Sequence, residues 1–310
     1  MPTLAALQMN SGDDVAANLD AAEALLREAA AGGARLAVLP ENFPFMGKRD
    51  RDKLAHGEAD GRGPIQDRLA RFARELDLWI IAGTLPIRAA GEDRVYAACC
   101  VYDSDGARVA RYDKIHLYDI DVPDLPHPTA DVRRRSPPLP QGGRGTEVSL
   151  RDTKAQGERY RESASIAPGR LHPVVVDTPA GRVGLSVCYD LRFPELYRAL
   201  SQAGAEILVV PSAFTVKTGE AHWELLLRAR AVENLCYVIA PGQCGTHPSG
   251  RATYGHSLIV EPWGSVVALR EADTPGVVLA QRDAARQAEL RTGFPALAHR
   301  RLQTSYPPAI

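Results

Sequence analysis

Arg182-Val183-Gly184-Leu185-Ser186-Val187-Cys188-Tyr189-Asp190-Leu191-Arg192-Phe193-Pro194-Glu195-Leu196 is the stretch whose reading decides the fold. Residues 183–187 form an apolar run that stops at a cysteine. Six residues later Pro194 suits a first helical position, and an amphipathic segment follows over 195–203. The order is strand, sharp turn, helix. It lifts the Cys188 side chain out of a sheet and sets it beside a helix N-terminus, where backbone N–H groups and the helix dipole favour a thiolate. A strand-end cysteine is also a common small core residue, so its role has to be read together with partners elsewhere.

Moving outward, two other polar residues occupy the same kind of place. Glu41 follows the apolar run 36–39 and Pro40, and Lys114 follows the strand-like segment 108–112. Strand ends of layered α/β folds converge on one crevice, where ligands bind. Acyl transfer by a thiol needs a nucleophile, a carboxylate to take and return its proton, and a fixed positive charge for the oxyanion. Singly, Glu41 reads as a loop cap and Lys114 as a solvated lysine. Jointly with Cys188 they supply those three parts.

The rest of the chain alternates helix and strand signals. Asp13 or Asp14 can cap a helix whose apolar residues Val15, Leu19, Ala22 and Leu26 recur at helical spacing, with Gly32-Gly33 ending it. Pro64 opens a second helix. Strands are expected over 4–9, 36–39, 78–85, 95–102, 108–112, 174–176, 183–187, 207–210, 235–240, 257–260, 266–269 and 277–280, and helices over 220–234 and 284–290. About a dozen short, continuously apolar strands covered by helices fit an α/β, layered α+β architecture with two sheets face to face. Residues 125–157 break this pattern. They are rich in Pro and Gly, show neither period, and carry six Lys/Arg against three acids. They read as a surface insertion in a single domain spanning 1–310.

Composition excludes several classes. With 45% hydrophobic and 24% charged residues in 310, this is an ordinary globular chain, and a formal net charge of -1 gives no case for nucleic acid or an anionic membrane. Five cysteines without CxxC spacing point to reduced thiols in a cytoplasm-like compartment. No apolar run reaches membrane-spanning length. Neither GxGxxG nor GxxxxGK[ST] occurs, and His222, His247 and His256 lack metal-ligand spacing, so no cofactor or metal is expected. An α/β-hydrolase elbow would need Gly at position 190, which is Asp190.

Leu39-Pro40-Glu41-Asn42, the segment 113–123 beginning Asp113-Lys114-Ile115-His116, Tyr160-Arg161-Glu162-Ser163 and the segment 188–196 together resemble the nitrilase superfamily of carbon–nitrogen hydrolases. Pro211-Ser212-Ala213-Phe214-Thr215, the segment 218–231 and Tyr254-Gly255-His256-Ser257 are similar to its Nit branch. The last of these is closer to the amidases of deaminated glutathione than to the ω-amidases, which act on α-ketoglutaramate and related 2-oxo amides.

The resemblance implies a four-layer αββα sandwich, commonly assembled as a homodimer or higher homo-oligomer. It also implies hydrolysis of a small-molecule amide through a cysteine thioester, with deaminated glutathione cleaved to 2-oxoglutarate and cysteinylglycine. Carried over position by position, Cys188 is the nucleophile, Glu41 the general base and Lys114 the oxyanion stabiliser. Glu162 orients the lysine or the substrate. The Tyr189 backbone N–H is expected to assist Lys114. Arg192 is open between a substrate carboxylate and a pairing with Glu195 or Asp190, while Thr215 and Lys217 are candidates for the pocket wall. In the family the Lys114–Glu162 connection is shorter than here. A non-catalytic binding module on the same scaffold would have lost Glu41, Lys114 or Cys188, and all three are present.

Overall fold

The computed structural model describes residues 1–121 and 159–302; the insertion expected at 125–157 lies outside them. Two six-stranded mixed sheets form the centre. The first runs in the order β16 (Gly276–Gln281), β1 (Thr3–Gln8), β2 (Ala34–Val38), β3 (Trp79–Arg88), β4 (Val95–Tyr102), β5 (Arg108–Asp113). The second runs β15 (Val266–Leu269), β14 (Leu258–Val260), β11 (Tyr237–Ala240), β10 (Ile207–Val209), β9 (Gly181–Leu185), β8 (Val175–Thr178). In each sheet three neighbouring strands are parallel, β1-β2-β3 in one and β9-β10-β11 in the other, with antiparallel strands outside them.

Alternation along the strands builds the layers. Leu4, Ala6, Leu36, Val38 and Ile81 face the second sheet, whereas Ala5, Leu7, Ala37 and Ile80 face helices α1 (Val15–Ala31) and α2 (Pro64–Leu76). The second sheet's outer face packs on α3 (Pro194–Gln202) and α4 (Val216–Asn234) through Leu196, Tyr197, Leu200, Trp223 and Leu227. The result is the expected αββα sandwich. The adjacent cysteines show the same logic: Cys99 belongs to the inter-sheet core and Cys100 to the α1/α2 core.

Local signals hold at several element ends. Asp14 accepts from the Ala16 and Ala17 N–H groups, at 2.9 and 3.1 Å, and caps α1. Other bounds move. Helix α4 starts at Val216 rather than 220, because Thr215 already has extended N-cap geometry. Strand β9 stops at Leu185, two residues short of the expected end, since Ser186 and Val187 lead into the turn over Cys188–Arg192. Two small pairs escape the apolar pattern: β12 (Cys244–Thr246) with β13 (Ala252–Tyr254), and β6 (Asp119–Asp121) with β7 (Arg159–Arg161). The second pair joins the two ends of the insertion, setting Asp121 opposite Arg159. A last helix, α5 (Ala284–Gly293), precedes residue 302. Among the described residues no helix is long and apolar enough to cross a membrane.

Candidate active site

Glu41, Lys114 and Cys188 each leave the end of a different strand and meet between the two sheets. Glu41 lies three residues past β2, where Leu39 and Pro40 press their carbonyls on Gly83 of β3. A Cβ there would collide with backbone, so position 83 requires glycine. Asn42 turns the chain away with a left-handed φ of 56° and donates its N–H to Thr84 Oγ1 at 2.8 Å. Lys114 directly follows β5. Its carbonyl accepts from Gly169 N–H at 2.9 Å, and a side chain at 169 would strike the Asp113 carbonyl.

Lys114 is 1% exposed and Glu41 3%. Such burial of a charge demands pairing. Lys114 Nζ donates to Glu41 Oε1 at 2.9 Å and to both Glu162 oxygens, at 2.9 and 2.8 Å. Glu162 Oε2 also accepts from Tyr118 N–H at 2.7 Å, and Glu41 Oε2 from Ala213 N–H at 2.9 Å. Behind Glu41, Gln243 Nε2 donates to its main-chain carbonyl at 3.1 Å and to Ser11 Oγ at 2.8 Å. Lys114 and Glu162 therefore meet despite the long insertion, because β6 and β7 close its base beside them.

Cys188 stands at the start of the turn with φ 47°, a left-handed conformation that costs a non-glycine residue about 1–2 kcal/mol. Asp190, fully buried, holds that turn. Its Oδ2 accepts from Tyr112 Oη at 2.7 Å and from Val187 N–H at 2.8 Å, while Oδ1 meets His116 N–H at 3.1 Å and His116 Nδ1 at 2.7 Å. Cys188 N–H donates to Pro211 O at 3.0 Å, and Arg230 from α4 donates to Leu191 O through Nε and Nη2, at 3.1 and 2.7 Å.

Electrostatics correct one expectation. The helix end does not make Cys188 a resting thiolate. Burial and then the Glu41 charge push its thiol well above the ordinary value, and Lys114 with the Ala213 N–H offsets this only in part. Burial also pushes Glu41 upward, but the Lys114 charge and hydrogen bond, the Cys188 thiol and the Arg251 charge outweigh it, and the carboxyl lies below its usual range. Burial opposes the Lys114 charge, yet Glu162 and Glu41 hold it well above the usual lysine value. The resting arrangement is thiol, carboxylate, ammonium.

A cleft opens over these groups. Tyr189, Arg192 and Thr215 line it; Thr218, Tyr118 and Arg251 do so without having been singled out, and Lys217 is not on its wall. Arg192 settles differently from the pairing with Asp190, which is occupied by Tyr112, His116 and Val187. Its Nη1 contacts His222 Nδ1 at 3.2 Å, and its guanidinium lies over the Tyr189 and Phe214 rings, at 5.8 and 5.6 Å. Arg251 Nη2 donates to the Ala213 carbonyl, and its guanidinium lies 5.3 Å from the Tyr160 ring centre. Asp190 and Arg251 gave no signal in the linear sequence because their partners are remote in it. Among the described residues no group of three His, Cys, Asp or Glu could hold a metal ion.

Comparison with known proteins agrees with this geometry. The carbon-nitrogen hydrolase family model matches residues 3–292. A relative from Homo sapiens named deaminated glutathione amidase is 42% identical over 306 residues, 97% of this chain and 83% of its own. The crystal structure of the C. elegans NitFhit protein superposes with a TM-score of 0.78 at 34% identity; the match covers 97% of this chain and 65% of that one, about two thirds of its length. Saccharomyces cerevisiae Nit3, a member of branch 10 of the nitrilase superfamily, superposes at 0.77 with 26% identity and 97% of both chains covered. A cysteine, a lysine and two glutamates gathered at strand ends of an αββα sandwich thus accompany a family match over nearly the whole length: the chain belongs to the carbon-nitrogen hydrolase family, the nitrilase superfamily of amide-cleaving enzymes.

Proposed function

We propose that the protein hydrolyses deaminated glutathione to 2-oxoglutarate and cysteinylglycine through a thioester on Cys188. The observation that carries the mechanism is the bridging of Lys114 Nζ between Glu41 and Glu162 in the cleft that Cys188 enters. The thiol is protonated at rest, so attack on the amide carbonyl transfers its proton to Glu41. The carbonyl oxygen becomes an oxyanion held by Lys114, with the Tyr189 N–H as second donor. Glu41 gives the same proton to the departing amine, the C–N bond breaks, and cysteinylglycine leaves. Glu41 then takes a proton from water as that water attacks the thioester, and returns it to the sulfur when 2-oxoglutarate departs. Glu162 keeps Lys114 charged and fixed throughout.

The substrate is supported by the name of the relative at 42% identity. The purified protein should release 2-oxoglutarate from deaminated glutathione with higher kcat/KM than from α-ketoglutaramate. The opposite preference replaces this reading with an ω-amidase.

Two further properties belong to the same reading. Five unpaired thiols, of which Cys188 alone lines the cleft, suit a reducing, cytoplasmic compartment. Val232, Trp263 and Phe294 are exposed side by side, with Trp263 and Phe294 ring centres 5.6 Å apart, and offer a surface for a homodimer, which light scattering would detect.

A further inference from the structure

The floor of the cleft is electrically closed, but its walls are not. Lys114 is matched by two carboxylates. Arg192 and Arg251 are both on the wall, and neither forms an ion pair with a described carboxylate. Arg192 spends one donor on a histidine nitrogen. Arg251 spends one on the Ala213 carbonyl, and its buried Nε has no hydrogen-bond partner among the described residues. On the same wall the Tyr118 hydroxyl is also buried with no hydrogen-bond partner among the described residues. Three sets of donors, two of them cationic, thus converge on a space that the protein's own described acceptors leave open. The buried ones, Arg251 Nε and the Tyr118 hydroxyl, are completed by a ligand or by water, and Arg192 is half-buried beside them. Two guanidiniums call for two anionic groups, and their planar forks suit carboxylates.

The two arginines are attached to different parts of the reaction. Arg251 is tied to Ala213, whose N–H holds Glu41 Oε2 at 2.9 Å, so its guanidinium is anchored beside the group that protonates the leaving nitrogen. Arg192 is on the nucleophile's own turn, four residues after Cys188, over the Tyr189 ring. Resting on the reading above, we infer that the site is built for amides with a carboxylate on each side of the scissile bond: Arg192 receives the 2-oxo-acid carboxylate of the acyl part, and Arg251 the terminal carboxylate of the leaving peptide. Arg251 is then the specificity-determining residue that separates a peptide-leaving substrate from a simple 2-oxo amide, whose leaving group is ammonia and carries no charge for Arg251 to meet.

The test uses three substrates: deaminated glutathione, its analogue with glycinamide in place of the terminal glycine, and α-ketoglutaramate. In the wild type the glycinamide analogue should lose about tenfold or more in kcat/KM, mainly through KM, equivalent to about 1.4 kcal/mol. In Arg251→Met that penalty should vanish, and the ratio of kcat/KM for deaminated glutathione over α-ketoglutaramate should fall by a similar factor. Arg251→Lys should recover part of the ratio. Arg192→Met should instead depress all three substrates in parallel. A glycinamide penalty that survives in Arg251→Met, or an unchanged ratio, overturns the assignment while leaving the proposed activity standing. Absence of wild-type turnover on deaminated glutathione, with α-ketoglutaramate cleaved, removes the substrate reading and this inference together.

Discussion

The floor and the walls of the cleft are finished to different degrees. On the floor, Glu41, Lys114 and Glu162 satisfy one another, and Asp190 takes four hydrogen bonds from three residues. On the walls, Arg192, Arg251 and Tyr118 keep donors unused by described residues. The difference separates two jobs. A closed network in a low-dielectric site is preorganised for charge that develops only during reaction, whereas open donors are completed by whatever binds. Floor substitutions should therefore strike kcat and stability, and wall substitutions KM and selectivity.

The largest effect expected is at Cys188, the proposed nucleophile. Cys188→Ala should reduce turnover by roughly 10⁵-fold or more, with the fold retained, because the nucleophile admits no substitute and the thiol packs little beyond its Cβ. Cys188→Ser should be almost as inert. Circular dichroism and steady-state assays decide both; measurable turnover in the alanine variant breaks the account of the floor.

Next comes the lysine. Lys114→Ala removes the positive charge proposed to hold the oxyanion and should lower kcat by about 10²-fold or more. It also strands two carboxylates, one of them 3% exposed, so unfolding stability should drop by about 3–5 kcal/mol. A loss of kcat with undiminished stability would mean the cluster is not closed in the way described.

Asp190→Asn keeps the shape but removes the charge and one acceptor from the turn. Denaturant unfolding should show a loss of about 1–3 kcal/mol, and kcat should fall about tenfold as the left-handed Cys188 relaxes. KM should change little. A larger effect on KM than on kcat would move Asp190 from the floor to the wall.

Legibility in the sequence follows the same division. Cys188, Glu41 and Lys114 stood out because each follows the end of a strand-like segment, apolar before Cys188 and Glu41 and mixed before Lys114, a pattern local to a few residues. The two sheets were legible for that reason too. Asp190 was not: it grips Tyr112 and His116, 78 and 74 positions away, and nothing nearby announces this. Arg251 lies between two strands of three residues, too short to show a period. The thiolate expectation failed because local geometry placed a helix end beside Cys188, while the stronger influences, burial and the Glu41 carboxylate, come from tertiary structure.

The smallest expected effect is a pH dependence of stability. The Cys188 thiol is raised in the folded state, so its contribution is fully present below the unfolded thiol value of about 8.5 and is lost as pH rises. Between pH 8 and 10 wild type should lose about 2 kcal/mol more than Cys188→Ala. Glu41 is lowered instead: its contribution is present above the ordinary carboxylate range and is lost as pH falls through the folded value, so Glu41→Gln should flatten the acid limb of the stability curve. Parallel curves for wild type and variants would show that neither group is coupled to its surroundings.

The central claim, that a protonated Cys188 attacks only by handing its proton to Glu41 and becomes acylated, is tested most directly by rapid acid quench of wild type and Glu41→Gln mixed with deaminated glutathione, followed by intact-mass and peptide mapping. Wild type should carry a transient 2-oxoglutaryl thioester on Cys188, formed within the first turnover, and Glu41→Gln should form it far more slowly. Equal acylation rates in the two proteins, or an adduct on any other residue, would contradict the account.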